Sequence, residues 1–379
     1  MIAAVAATHH ANPADGSPID PSGGWGVVWV AALISAFAFY GLGVLIARRR
    51  LVLWIAISVA VAVQIAPLAG PLLLSRDVYL YWAEARVVTV HHANPYVVTP
   101  SRYAEDPGTR EASAQWRTQP EPYGPGWVAL GTLPTLVAGN SHAAVQFLYR
   151  ILATIGMLGG LAILACRTRS ARSVVFLGWN PLLALHFAGG GHSDVWIALA
   201  MVVSVAWRNT SVGGAAWSIG SSLKGVPALL LPLELARARG HLSRRFWVSL
   251  AGTGLAIVVA ATAIFGPRWS TASLIGAHGT SPIGGVHFLT EAGLRHRYAV
   301  LIGAAVFVSI YAILLREAWQ HARARLSLAA SALCMCSSLL RPWYAIWPVA
   351  LAAVEEDGLA EAAAFALSVY VLFADAIPL

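Results

Sequence analysis

The chain has 379 residues, of which 58% are hydrophobic and 11% charged, and its mean hydropathy is +0.67. That composition excludes a soluble protein of two or three domains, because apolar runs near or above the roughly 18 to 20 residues that cross a bilayer recur from end to end. The formal net charge of +8 does not point to nucleic acid: the arginines fall in short clusters between the apolar runs, where they act as topology signals.

The expected architecture is an all-α, polytopic membrane protein with about 10 to 12 spans, polar loops on one face and interfacial helices. A β-barrel is excluded, since its strands would give alternating segments of about 10 residues and these runs are continuous. Residues 1–24 are polar, rich in His, Pro, Gly and Asp, and read as a disordered tail ahead of one integral-membrane domain over 25–379. Cys166, Cys334 and Cys336 lie in or beside predicted spans and form no disulfide framework.

The first span, about 25–47, ends on Arg48, Arg49 and Arg50, which places that end in the cytoplasm. A second, 51–74, returns the chain to the outer face and opens a loop over 75–142. Within that loop Trp127 to Val137 is too short to cross and reads as re-entrant or interfacial. A span at about 143–165 leads to Arg167, Arg169 and Arg172; spans at 173–187 and 195–207 are joined outside by AGGGHSD. The apolar stretch 212–235 is broken by SSLKGVP, so that two short helices go out and back and Lys224 sits near the outer face. A span at 246–265 leads to a second long outer loop, 266–297, whose Gly and Pro content predicts irregular backbone. The span 298–315 returns to Arg316, Arg323 and Arg325, and three further pieces follow at 326–340, 344–354 and 359–373, with RPWY outside between the first two.

Polar residues without a topological role therefore collect on the outer face. Asp77, three residues past the second span, is the foremost: a carboxylate at that level is costly unless used, and it is placed to act as a general base. Its structural alternatives are a helix cap or an ion pair with Arg76. The helix after it, YLYWAEARVV, is amphipathic, with Tyr79, Trp82 and Val87 directed to lipid and Glu84 and Arg86 to water. His192 and Asp194 in GGGHSD are either a substrate-binding or acid/base pair or a polar turn with Asp194 capping a helix; a metal reading would recruit His186 without completing a ligand set. Lys224 and Arg341 are isolated cations that either bind a lipid phosphate or snorkel to the interface. His278 and His287 in the second long loop are phosphate-binding or proton-shuttling candidates, or solvated loop residues.

The ordered motifs RDVYLYW, NPY at Asn94–Tyr96, YGPGW at Tyr123–Trp127, WNPLLALHFAGGGHSD, LKGVPALLLP and RPWYAIWP resemble polyprenol-phosphate-mannose-dependent mannosyltransferases of the GT-C superfamily, of the bacterial cell-envelope lipoglycan type. The resemblance covers the chain from about Leu51 to Pro348. It implies an inverting, multi-pass plasma-membrane glycosyltransferase with its active site on the outer face. Its donor would be a polyprenyl-phosphate sugar, favouring mannose, and its acceptor a lipid-linked or glycan molecule. In this resemblance Asp77 is the base, and Lys224, Arg341, His278 and His287 are candidates for the donor phosphate. Arg76, Tyr81, Tyr123, His192, Asp194 and Tyr344 are candidates for the acceptor or sugar. No acidic pair suited to a metal is visible, so metal-independent chemistry without a cofactor is expected. A lipid or sugar transporter is the competing class; the broken segment at SSLKGVP fits it, while the one-sided polar residues and lack of internal repeats do not.

Overall fold

The structure, a computed structural model, describes residues 1–11, 19–47, 51–271 and 281–377. Among the described residues every regular element is a helix, as the hydropathy pattern predicts. The cluster Arg48 to Arg50 and His278 lie outside the described residues.

Helix α1, Ile2–Ala11, packs along α2, Gly24–Ala47, burying Ala4, Val5 and Ala7, and Trp29 Nε1 donates to Thr8 Oγ1 at 3.2 Å. The sequence reading expects a disordered tail there; the alanine-rich start instead favours helix and has an apolar face to bury. Helix α3, Leu53–Ile65, closes in a 3₁₀ turn at Ala66–Ala69, where Pro67 cannot continue the α-helical ladder. The polar loop then forms α4, Asp77–Thr89, and the short α5, Pro107–Glu111, before α6, Pro125–Ala138, which is the segment too short to cross.

Helix α7 spans His142–Arg167. The single span predicted over 173–187 is two pieces, α8, Ala171–Gly178, and α9, Pro181–Phe187. Pro181 starts α9, Asn180 Oδ1 accepts from the Leu182 N–H at 3.1 Å, and Gln64 Nε2 donates to Gly178 O at 3.0 Å. These side chains satisfy backbone that a break in an apolar interior would otherwise leave unpaired. Helices α10, Asp194–Ala206; α11, Ser211–Leu223; α12, Val226–Ala238; and α13, Arg244–Phe265, follow. After α14, Gly285–Glu291, come α15, His296–His321; α16, Leu326–Cys336; α17, Ile346–Glu355; and α18, Gly358–Ala376. Five of these, α2, α7, α13, α15 and α18, are long and apolar enough to cross a membrane, and shorter apolar helices pack among them.

The helix ends sort into two sets. At one end, Arg172 pairs with Glu361, Arg208 and Arg237 share Glu234, and Arg323 and Arg325 share Asp357. At the other end lie Asp77, His192, Asp194 and Lys224. Helix α10 begins on Asp194 and ends where Ala206 O accepts from Arg167, and α12 begins beside Lys224 and ends at Arg237, so the two sets cap opposite ends of the same helices. The arginine clusters of the described residues thus share one face, as counting their parity along the sequence predicts.

One expectation is overturned. Helix α4 is not an amphipathic rod with Glu84 and Arg86 in water: Val78 through Val87 are all buried, with Glu84 3% and Arg86 6% exposed. The loop after α4 folds back over its polar side. Arg86 donates through Nε to both oxygens of Asp106 at 2.8 and 2.9 Å, and through Nη1 to Asn140 Oδ1 at 2.8 Å. His91 adds a contact to Asp106 at 2.8 Å. A hydropathy pattern records which side is polar, but not whether that side meets water or another polar segment.

Candidate functional site

Asp77 is the first residue of α4, and its side chain is 23% exposed. Its backbone N–H donates to Ser75 Oγ at 3.2 Å. The segment that carries it is clamped to the GGGHSD turn from beneath. Arg150, 4% exposed in α7, donates to Ala188 O at 2.7 Å, to Gly70 O at 2.8 Å, and also to Pro67 O. Leu73 N–H adds a bond to Gly189 O at 3.1 Å. Gly191 has φ 72°, and a Cβ there would stand 2.7 Å from Val78, so only glycine lets the turn come this close to α4.

The clamp brings His192 Nδ1 to 3.5 Å from Asp77 Oδ2. Arg76 turns away and pairs with Glu111, which removes the Arg76 ion pair as an explanation of Asp77. Burial pushes the Asp77 carboxyl above the ordinary aspartate range; Arg341, the Ser75 hydroxyl and Lys224 pull against that shift, and Asp194 adds to it.

Asp194 heads α10 without a side-chain capping bond. It pairs instead with Lys224, Nζ to Oδ1 3.1 Å, and is itself fully buried. The Lys224 ammonium lies over the rings of Tyr344, Trp347 and Tyr123 at 4.0, 5.0 and 5.2 Å from their centroids. Tyr81 hydroxyl stands 3.4 Å from both the Tyr123 hydroxyl and Ser193 Oγ, closing this wall behind Asp77. Arg341 makes no ion pair among the described residues; its guanidinium lies 5.8 Å from the Trp116 ring and 6.0 Å from the Trp343 ring, within electrostatic reach of Asp77 and of Asp375 on α18. The result is a half-open polar site with one carboxylate at its mouth, one compensated cation and one uncompensated cation.

The candidates Asp77, His192, Asp194, Lys224, Arg341, Tyr81, Tyr123 and Tyr344 therefore come together. His287 does not join them: it lies on α14, 3.9 Å from Glu291, and no hydrogen bond or ion pair links it to the cluster among the described residues. Arg76 sits at the rim. The sequence reading missed Arg150, Trp343, Trp347 and Asp375, and weighed His186 only as a metal ligand. The signal for Arg150 was available, since a lone arginine inside an apolar run is costly without a purpose. Trp343 and Trp347 in RPWYAIWP offered a weaker signal, the one-turn spacing of two aromatics. Among the described residues no group of three or more His, Cys, Asp or Glu is placed to hold a metal ion.

Residues 21–267 match the family model described as "Alpha-(1->6)-mannopyranosyltransferase, N-terminal domain". The chain is 27% identical over 378 residues to alpha-(1->6)-mannopyranosyltransferase A of Mycobacterium tuberculosis, covering 86% of this chain and 70% of that protein. It is 29% identical over 174 residues to alpha-(1->6)-mannopyranosyltransferase A of Corynebacterium glutamicum, covering 43% and 34%. A probable alpha-(1->6)-mannopyranosyltransferase of Mycolicibacterium smegmatis is 23% identical over 351 residues, covering 74% and 62%. No solved structure matches the chain. The family match covers more than half of the sequence and includes Asp77, the GGGHSD turn and Lys224, so the chain belongs to the alpha-(1->6)-mannopyranosyltransferase family.

Proposed function

We propose that the chain is an inverting mannosyltransferase that uses a polyprenyl-phosphate donor and a lipid-linked or glycan acceptor, with Asp77 as general base. The observation that carries this is the meeting, at one end of the bundle, of a half-buried carboxylate with two cations brought by three separate segments. Asp77 takes the proton from an acceptor hydroxyl as its oxygen bonds to the anomeric carbon. The carbon–oxygen bond to the phosphate breaks, and its electron pair leaves with the polyprenyl phosphate. That phosphate gains negative charge as it departs, and preorganised cations stabilise the developing charge.

Arg341 is the better anchor for the phosphate, because Lys224 already carries Asp194 as its counter-charge. Lys224 holds Asp194 and the aromatic wall in place and offers its remaining donors to the same oxygens. With these cations the reaction needs no metal ion and no cofactor. Tyr344, the partly exposed member of the aromatic wall, meets the sugar, and Arg76, at the rim with Glu111, meets the acceptor. Helices α13 and α15 leave most of their apolar surface uncovered, which suits them to lie against membrane lipid and the polyprenyl tail. The arginine clusters at the opposite end support a periplasmic or outer placement of the site in a plasma membrane.

The test is incubation of proteoliposomes with polyprenyl-phosphate-mannose and candidate lipid acceptors, with products read by mass spectrometry. Asp77→Asn is expected to lose about 10²-fold or more of kcat while the protein stays folded. Transfer at the wild-type rate by that variant would overturn the base assignment; transport of a labelled lipid without any sugar transfer would favour a transporter.

A further inference from the structure

The reading of His192 as a sugar-binding group fails on access, since its ring is 0% exposed. What the ring touches is Asp77 on one side and Trp343 on its face, with ring centroids 3.7 Å apart and planes 14° from parallel. Behind it stands His186, 5.5 Å away between centroids. Neither nitrogen of His192 makes a hydrogen bond among the described residues, and Nδ1 stands 3.5 Å from Asp77 Oδ2, just short of one.

We propose that His192 is a positioning residue for the general base: its Nδ1–H holds Oδ2 of Asp77, so that Oδ1 is presented to the acceptor hydroxyl. This rests on the assignment of Asp77 as base. Three features select the arrangement. The separation of 3.5 Å is the outer limit of a hydrogen bond, and such contacts tighten when substrate closes a site. The neutral imidazole has one N–H, and placing it on Nδ1 aims that donor at a carboxylate 3.5 Å away, whereas Nε2 has no hydrogen-bond partner among the described residues. The stacked indole and the crowded glycine turn fix the ring plane, so the donor cannot swing away.

Burial, more than the surrounding charges, disfavours the protonated imidazole. Burial pulls its protonation well below the ordinary histidine range, and His186, Arg341 and Lys224 act in the same direction. The groups that face Asp77 are Ser75 and Glu84 on its own segment, Tyr81 one turn along, Asp194 from α10, Lys224 from the α11–α12 turn, Arg341 before α17, and Asp375 from α18. Tyr123 faces Asp77 as well, and His192 adds to this set a ring nitrogen 3.5 Å from Asp77 Oδ2.

The test is the pH profile of kcat in His192→Leu, His192→Asn and His192→Gln, beside Asp77→Asn, in proteoliposomes with a polyprenyl-phosphate-mannose donor. Asn places an amide N–H near the position of Nδ1, and Leu offers none. His192→Leu is expected to lower kcat about 10- to 100-fold, to leave the donor KM within about twofold, and to move the acid limb up by about one pH unit, the effect of losing a hydrogen bond to a charged group. His192→Asn returns the limb to its wild-type position. If Leu does not fold, Asn and Gln decide the matter, since Gln reaches the Nε2 position and is expected to show the raised limb alone. An unshifted acid limb in both Leu and Gln, or equal shifts in Asn and Gln, would overturn the proposal. An inactive Asp77→Asn beside an unshifted His192→Leu would sink this inference and leave the base assignment standing; an active Asp77→Asn would sink the assignment itself.

Discussion

Two single substitutions that each break the Asp194–Lys224 pair are expected to cost more in sum than removing both partners at once. The charged atoms stand 3.1 Å apart, with the Asp194 side chain 0% and the Lys224 side chain 19% exposed. At an effective dielectric constant of about 20, Coulomb's law gives a gross attraction of about 5 kcal/mol at that distance. Desolvation offsets much of this in the intact pair, but a single substitution leaves the other charge buried and alone, at about 3 to 5 kcal/mol. Asp194→Asn belongs at the lower end, because the ammonium keeps three aromatic rings around it, and cation–π contacts in a desolvated site contribute about 2 kcal/mol. Lys224→Met belongs at the upper end, because the stranded carboxylate is fully buried and no other cation touches it. The double variant Asp194→Asn with Lys224→Met removes both charges and is expected to recover at least about 2 kcal/mol of the summed loss. Unfolding of the four proteins in mixed micelles, titrated with a denaturing detergent, reads the cycle. If the two single effects simply add within about 0.5 kcal/mol, the pair carries no coupling and the reasoning fails.

Arg341→Ala is expected to reduce kcat/KM for the donor about 10- to 100-fold, and Arg341→Lys to recover only part of it, since an ammonium keeps the charge and loses the fork; steady-state kinetics with varied donor checks this, and an unchanged Arg341→Ala refutes it. Arg150→Met strands the carbonyls of Ala188 and Gly70, leaves Pro67 O with only the Gly70 N–H, and unclamps the two segments that hold Asp77 and His192, so both thermal stability and kcat should fall, a loss of stability alone being the result that denies it a positioning role. The wild-type rate should fall on acidification, with its limb above the ordinary aspartate range, because burial raises the Asp77 pKa and the base works only when ionised. Glu84 and Glu121 are buried together outside the spans; burial raises both above the ordinary glutamate range, Glu121 to about 7, and the neighbouring Glu121 raises Glu84 further. A raised carboxyl binds more proton when folded than when unfolded, so its contribution is complete below about pH 4.5 and declines as pH rises from there through the raised value. Glu84→Gln with Glu121→Gln should flatten that dependence in a stability–pH series, and an unchanged slope would refute it.

What the sequence determined by itself is the solvent and the sidedness. Apolar runs matched to bilayer thickness specify helices in a membrane, because lipid offers no partner for unpaired backbone, and arginine clusters count the turns that share a face. Asp77 stood out for the same local reason, as a carboxylate at the end of a span. Tertiary structure decided the partners. Glu84 and Arg86 are polar in any arrangement, but only the folded-back loop puts them out of water. By sequence Asp194 is either a substrate-binding acid or a helix cap; packing makes it a lysine counter-ion, which leaves Arg341 as the cation of this cluster without an ion pair among the described residues. His192 stands two residues before Asp194, yet one is stacked on Trp343 beside Asp77 and the other pairs with Lys224. A side chain's partner depends on which distant segments the fold brings to within a few ångströms, and neither hydropathy nor spacing along one segment records that.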